Sequence, residues 1–406
     1  MSFTALALAY LRRRWGQAAL SVLVGALGIA AVATAIVGFD ALPRAARHAW
    51  GGVDLVVGPK GSALDLVLCC ALHVAEPRGL VSAKTATEAV TNPMVRAAAP
   101  IALGDNVQGW RIMGTTPALL EIYRARFAEG AVWTDKLQAV AGASVARALN
   151  LRLGDSFVGA HGLAAGGELH DRFPYKVVGI LAPTGSVLDR LVLTDIETVR
   201  YVHVKQAKAE KEERGSSDED ETVANLPDAA TAVVASYRVP TAAILMQRQI
   251  DAMERLSAAS PSLEIARLLG YARPLTAAVT GFGLLLVAIA AAGAAVGLLA
   301  TMNARTRDLA LLRALGASRA GLASVAFSEA AMIASGALAL GALLTFGLLE
   351  AGREVLADQT GLLLELQVKI LEIALVVGGT ILVAALAAAF PALRAAHTEI
   401  EELLQS

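Results

Sequence analysis

The residues that could carry chemistry are few in kind and scattered along the chain. Cys69 and Cys70 are the only cysteines, and they are adjacent. A disulfide between neighbours strains the peptide bond it encloses, and neither a CxxC pair nor a Cys/His zinc spacing is present. Two small buried thiols are therefore expected. Of the six histidines, His48, His73, His161, His170 and His203 fall in one long segment. None forms an HxxxH or HExxH pair, so structural or solvated roles are expected and no metal site is assigned. Asp54, Asp65 and Glu76 have no spacing that makes them a carboxylate site. No GxSxG nucleophile turn and no GxxxxGK[ST] phosphate loop occurs. Gly58, Pro59, Lys60, Gly61 and Ser62 bring glycines and a lysine together without that spacing. No catalytic residue and no cofactor is assigned, the chain is not expected to be an enzyme, and any ATP hydrolysis would belong to a separate subunit.

The densest pattern is one of recognition. Between Met302 and Arg319 the chain carries Arg305, Arg307, Arg313 and Arg319 against one acid, Asp308. Leu309 and Leu312 lie three residues apart and share a face if the segment is helical. Gly316 is placed to end such a helix in a left-handed cap. A leucine pair flanked by arginines suits insertion into a groove on a partner protein. A segment that only fixed membrane topology would need the charges but not the leucines.

These residues must be positioned by elements of a membrane protein. The chain has 406 residues, 56% of them hydrophobic and 17% charged, with a mean hydropathy of +0.57. Soluble domains carry about 25% charged residues, so an ordinary soluble enzyme is excluded. Disorder is excluded by the hydrophobicity, and the net charge of −1 excludes a globally basic nucleic-acid binder. A bilayer-spanning helix needs about 20 apolar residues. Uncharged stretches at 15–39, 275–303, 330–349 and 373–393 qualify. The first is too long for the apolar region of a signal peptide and reads as an uncleaved anchor. Arg12, Arg13 and Arg14 precede it, the 304–321 loop is basic, and acids prevail over 350–369. The bias of lysine and arginine toward the cytoplasmic side then puts both termini and the 304–321 loop inside.

The expected organisation is an amphipathic N-terminal helix at 1–14 and spans at 15–39, 274–303, 322–349 and 370–393. The extracytoplasmic domain covers 40–273, the cytoplasmic loop 304–321, the short outer loop 350–369 and the cytoplasmic tail 394–406. Within the outer domain, strands are expected at 53–57, 110–114, 175–180 and 190–193, and helices at 82–92, 116–126 and 144–149, an α+β pattern. Residues 205–224 read as a flexible charged insertion. Residues 241–269 read as a helical stalk leading into the second span, with Pro261 a potential break. Gly293 with Gly297, and Ser21 with Gly25, have the spacing of small residues at helix contacts. The spans carry almost no ionisable side chain, which disfavours an ion-driven transporter.

The segment from Arg305 to Arg319 resembles the signature loop of MacB/FtsX-type (LolC/LolE-like) ABC transporter permeases. In that family a basic-acidic pair precedes "(I/L)ALLRALGAS", and an acid follows early in the next span, here Glu329. Pro391 and Ala392, with Ala395 and Ala396, resemble the family's closing segment. Thr398 to Leu404 resembles its tail without the usual proline. The outer domain is similar more loosely, at Val95 to Pro100, at Leu153, Gly154 and Asp155, and at Val177 to Ile180. The resemblance implies a MacB-like periplasmic core domain between the first two spans and a multi-pass place in the bacterial inner membrane. It implies ATPase coupling through Arg305, Arg307, Asp308, Leu309, Leu312, Arg313, Leu315, Gly316 and Ala317. It also implies a cytoplasmic ABC ATPase as partner, and dimerisation with a second permease copy or paralogue. A periplasmic adaptor, a lipoprotein or a hydrolase would be a further partner. Two functions follow from it: export or extraction of a hydrophobic cargo or lipoprotein, or cargo-free, FtsX-like regulation of a periplasmic partner.

Overall fold

In a bilayer every backbone polar group must find its partner inside the protein, so long apolar runs fold as helices. The computed structural model describes residues 3–163, 167, 169–214, 228–239, 241–304, 316, 318–360 and 364–397. Four of its helices are long and apolar enough to cross a membrane, with mean hydropathies between 2.0 and 2.5. The chain divides into a helical unit (1–42, 271–355 and 365–406) and a sheet domain (43–270 and 356–364).

Helix α1 (Phe3–Arg13) ends on Arg12 and Arg13, cations that suit the negative end of a helix dipole. Helix α2 (Trp15–Ala49) continues well past the expected end of the first span.

The sheet domain follows as β1 (Leu55–Pro59), α3 (Ala63–Cys70), β2 (Val81–Ser82), α4 (Ala83–Ala89), β3 (Val95–Val107) and β4 (Trp110–Thr115). Next come α5 (Ala118–Tyr123), β5 (Phe127–Gly130), β6 (Gln138–Ala141), α6 (Ala143–Ala148), β7 (Ser156–Phe157), β8 (Ala160–His161) and β9 (Tyr175–Leu181). The domain closes with β10 (Val192–Asp195), α7 (Ile196–Arg214), β11 (Ala229–Ala230), β12 (Ala232–Tyr237), α8 (Ala242–Asp251) and β13 (Leu256–Ala259). All four expected strands and all three expected helices are present, with shifted ends.

Eleven strands form one sheet in the order β13-β1-β12-β3-β4-β10-β6-β9-β5, with β7 on β9 and β8 on β3. The pairs β4–β10 and β6–β9 are parallel, and the other pairs are antiparallel. Strand side chains alternate between faces. Leu55 and Val57 accordingly pack with Val233, Ala235, Met246 and Ile250, while Val56 packs with Val67, Ile101, Met113 and Val234. Both faces are covered, which is why β1 and β12 read as nearly continuous apolar runs rather than as alternation.

Two expectations about this domain need correction. The single stalk over 241–269 is instead α8, then β13, which pairs with β1, then α9 (Pro261–Ala304). Pro261 does not break a helix but begins one, at the position where its missing N–H costs nothing. The charged stretch expected as a loop from 205 is helical as far as Arg214, as the end of α7. Residues 215–224 lie outside the described residues.

The remaining spans are α9, α10 (Arg319–Thr360) and α11 (Ile370–His397). Helix α10 runs on through Glu350 and Glu354, so the expected outer loop begins only after Thr360. In the helical unit, glycines let the backbones approach closely. A Cβ on Gly28 would lie 2.7 Å from the Gly283 carbonyl, and one on Gly341 would lie 2.9 Å from Ile29 Cγ2. Gly25 faces Ala337 and Ala290, and Gly293 faces Ser21. The small-residue pairs noted in the sequence therefore pack α2 against α9 and α10 of the same chain.

Candidate functional site

Arg305, Arg307, Asp308, Leu309, Leu312, Arg313, Leu315 and Ala317 lie outside the described residues. Gly316 is described, with φ +96°, in the left-handed region that glycine enters without strain. The flanks of the segment are ordered helices. Helix α9 ends at Ala304 and α10 begins at Arg319. Ser318 Oγ accepts from Gly321 N at 3.1 Å, an N-terminal cap that satisfies one of the free amides of α10.

Glu329, the acid singled out by the resemblance, is 7% exposed. It lines a small pocket of the helical unit with Tyr10, Arg14, Gln17, Ser21, Leu298 and Ile333. Arg14 reaches the Gly297 carbonyl through Nη1 at 3.0 Å. Ionisable groups in spans face protein interiors. Glu329 and Arg14 do so in one pocket, formed where α1 meets α2 and where α10 is one-quarter along its length.

The glycine–lysine stretch after β1 has a structural role. Lys60 Nζ donates to the carbonyls of Asp251 (2.7 Å), Met253 (3.1 Å) and Leu256 (3.1 Å). It thereby satisfies acceptors left free where α8 ends. Ser62 Oγ accepts from Asp65 N at 3.2 Å and caps α3. A Cβ on Gly58 would lie 2.5 Å from Leu66 Cδ2, so β1 and α3 can pack only over a glycine. Asp54 Oδ2 accepts from Tyr237 N at 2.7 Å and Asp65 pairs with Arg78 at 3.1 Å. Asp65, Glu76, Cys69 and Cys70 border one open cleft with Lys60.

Both cysteines are free and buried, as expected. Cys70 Sγ donates to Cys69 Sγ at 3.0 Å. That bond lowers the Cys69 pKa, while it and burial push Cys70 well up.

The histidines give the clearest departure from the sequence reading. His161, His170 and His203 converge on Asp105. The Asp105 Oδ1 atom lies 3.2 Å from His170 Nε2, 3.2 Å from His203 Nε2 and 3.8 Å from His161 Nδ1. The rings stand edge to face, with centroids 5.3–6.1 Å apart and interplanar angles of 73–83°.

Each ligand comes from a different element. In β3 the register shifts between Leu103 and Asp105, leaving Gly104 as the extra residue of a bulge. Such bulges re-aim the side chains beyond them, and here both Asp105 and Asn106 are fully buried. Strand β8 pairs with β3 and sets His161 opposite Asp105. His170 N donates to the Gly159 carbonyl at 2.8 Å, which ties its loop to the sheet. His203 sits one turn beyond Val199 on the buried stripe of α7 that includes Ile196. Gly114 lets α7 lie close, since a Cβ there would be 2.7 Å from Val199 Cγ2.

Burial pushes the Asp105 carboxyl up, but hydrogen bonds from His170 and His203 and the charges of those rings outweigh it. The carboxyl is held well below the usual range. Among the described residues, Asp105, His161 and His203 place ligand atoms within 4.8 Å of one another, a set that leaves His170 out. Sequence spacing missed this cluster because its members are far apart in the chain. The usable signals were a buried-type strand holding an aspartate and a histidine on the apolar stripe of a helix.

Comparison with known proteins gives two family matches. Residues 18–242 match the profile described as MacB-like periplasmic core domain, and residues 280–400 match the one described as FtsX-like permease C-terminal. Among solved structures, the periplasmic region of MacB from Actinobacillus actinomycetemcomitans is similar at 10% identity and a TM-score of 0.33. That match covers 54% of this chain and 93% of that one. The extracellular domain of the noncanonic ABC-type transporter YknZ from Gram-positive bacteria is similar at 11% identity and a TM-score of 0.29, covering 51% and 98%. No curated protein gives a significant match.

Proposed function

The chain belongs to the family of ABC-transporter-type permeases that join a MacB-like periplasmic core domain to an FtsX-like C-terminal region; from that premise we propose that it couples ATP hydrolysis on a separate cytoplasmic ABC ATPase to motion of its outer domain. The coupling element is the 305–317 segment, with Leu309 and Leu312 as apolar anchors and Arg305, Arg307 and Arg313 around them. Both termini and this segment are cytoplasmic, the sheet domain is periplasmic, and the location is the bacterial inner membrane. The cargo is a hydrophobic molecule or a lipoprotein, exported or extracted, and the permease works as a dimer.

One observation supports this reading: the MacB-like match covers span one and most of the sheet domain (18–242), and the FtsX-like match covers the later spans (280–400). A sheet domain is inserted between span one and spans two to four. The spans are nearly free of ionisable groups, so their movement needs a drive other than an ion gradient.

The test is purification of the tagged full chain from native membranes in mild detergent, with partners identified by mass spectrometry. Recovery of an ABC ATPase is expected. An intact chain recovered without one contradicts the proposal. A cell-wall hydrolase as third partner would replace the cargo reading with partner regulation.

A further inference from the structure

Three imidazoles and a carboxylate, drawn from four elements of the sheet domain, meet at one point that the permease reading does not use. We propose that Asp105, His161 and His203, with His170 packed against the same carboxylate, form a binding site for a divalent transition-metal ion, zinc by its ligand set.

The spacing is that of a coordination shell. Zinc donors lie about 2.0–2.1 Å from a tetrahedral ion, which sets them roughly 3.3–3.4 Å from each other. From Asp105 Oδ1, His203 Nε2 lies at 3.2 Å and His161 Nδ1 at 3.8 Å. The looser one belongs to His161, whose side chain is 60% exposed and has room to adjust.

The charge on Asp105 can be met by protonated imidazoles or by a bound cation. The Asp105 side chain is 0% exposed, and the groups that pair with it among the described residues are these histidines. A buried carboxylate is costly without a compensating charge. A network of hydrogen bonds alone would be expected to use all of its buried polar atoms. Here Asp105 Oδ2 and His170 Nδ1 are buried without a hydrogen-bond partner, and all three imidazoles turn toward the same oxygen. Two imidazole nitrogens and one carboxylate oxygen are a donor set that suits zinc.

The cluster is held in place by its surroundings. Asn106 Nδ2 donates to the carbonyls of Ala160 (3.4 Å) and Gly162 (3.0 Å), which fixes the strand carrying His161. Gly162 N donates to the Gly104 carbonyl at 2.7 Å. A Cβ at Gly104 would lie 3.2 Å from His203 Nε2, so the glycine leaves the imidazole its place. Asp105, His161 and His203 are three protein ligands and leave the fourth position of a tetrahedral shell open, with His170 hydrogen-bonded to Asp105 beside them. The ion would clip β3, β8 and α7 together.

The experiment uses the full chain in detergent, purified without a histidine tag, stripped with chelator and dialysed against zinc. Metal per chain is measured by elemental mass spectrometry. One zinc per wild-type chain is expected. Loss of a group that only orients a metal-bound side chain weakens metal binding about 10–100-fold, so His203→Ala and His161→Ala should each weaken it by at least about tenfold. His48→Ala, at an exposed histidine outside the cluster, should bind like wild type. His161 is exposed enough that its variant folds even if His203→Ala does not. A wild-type chain without zinc, or an His161→Ala chain that binds it undiminished, overturns the proposal. Neither outcome bears on ATPase recovery, which tests the permease reading separately.

Discussion

His73 and Asp105 both lie in the sheet domain and answer their surroundings in opposite ways. Burial, assisted by the charge of Arg111, drives the His73 pKa down to about 3. The unfolded chain takes up this proton near the ordinary 6.5, whereas the folded one does not until about 3. Between those values the unfolded state binds more protons, so His73 lowers stability as pH falls through the window and has no effect above it. The thermal midpoint of the detergent-solubilised chain should fall from pH 6.5 toward pH 3, and His73→Gln should make that fall shallower. Identical slopes for the two proteins would contradict this. Asp105, by contrast, keeps its charge because His170 and His203 face it. Little of that arrangement was legible in the sequence, since pairing of β8 with β3 and docking of α7 are long-range events. The buried thiols at Cys69 and Cys70 were legible, because adjacency alone argues against a disulfide.

At the scale of elements, the spans were the most legible feature, since twenty uncharged apolar residues have few alternatives to a membrane helix. Their ends were not. Glu350 and Glu354 read as loop, yet α10 continues through them, because charge does not stop a helix once it has left the apolar layer. The stalk expected over 241–269 failed at β13, whose four residues Leu256–Ala259 carry no strong strand signal and are fixed by pairing with β1. Close helix contacts give a direct test. Gly28 and Gly283 meet backbone to backbone, and a Cβ on Gly28 would also lie 2.8 Å from Val287 Cγ2. Gly28→Leu should cost about 1–3 kcal/mol by overpacking and lower the thermal midpoint in nanodiscs. Gly378→Leu, where nothing lies within 4 Å of the new Cβ, should leave it unchanged. Equal midpoints for both variants would mean that α2 and α9 do not pack this way.

For the whole molecule, the order of parts was legible: one span, a large α+β domain, three spans. The reason is physical, because composition changes sharply at each boundary. Orientation rests on the lysine and arginine bias and can be tested by cysteine accessibility. The native Cys69 and Cys70 are buried, so introduced thiols should dominate labelling. Ser318→Cys should react only from the cytoplasmic side. Gly61→Cys, at an exposed position with nothing within 4 Å of its Cβ, should react only from outside. The reverse pattern would invert the topology.

The proposed docking of a separate ATPase on the 305–317 segment is tested by comparing wild type with Leu312→Asp. Both tagged chains are purified from native membranes at equal levels of insertion, and the co-purifying ABC ATPase is quantified. A central apolar anchor is worth at least about 2 kcal/mol in an interface, about thirtyfold in Kd. ATPase should therefore accompany the wild-type chain and be nearly absent from Leu312→Asp. Equal recovery with both chains would contradict the account.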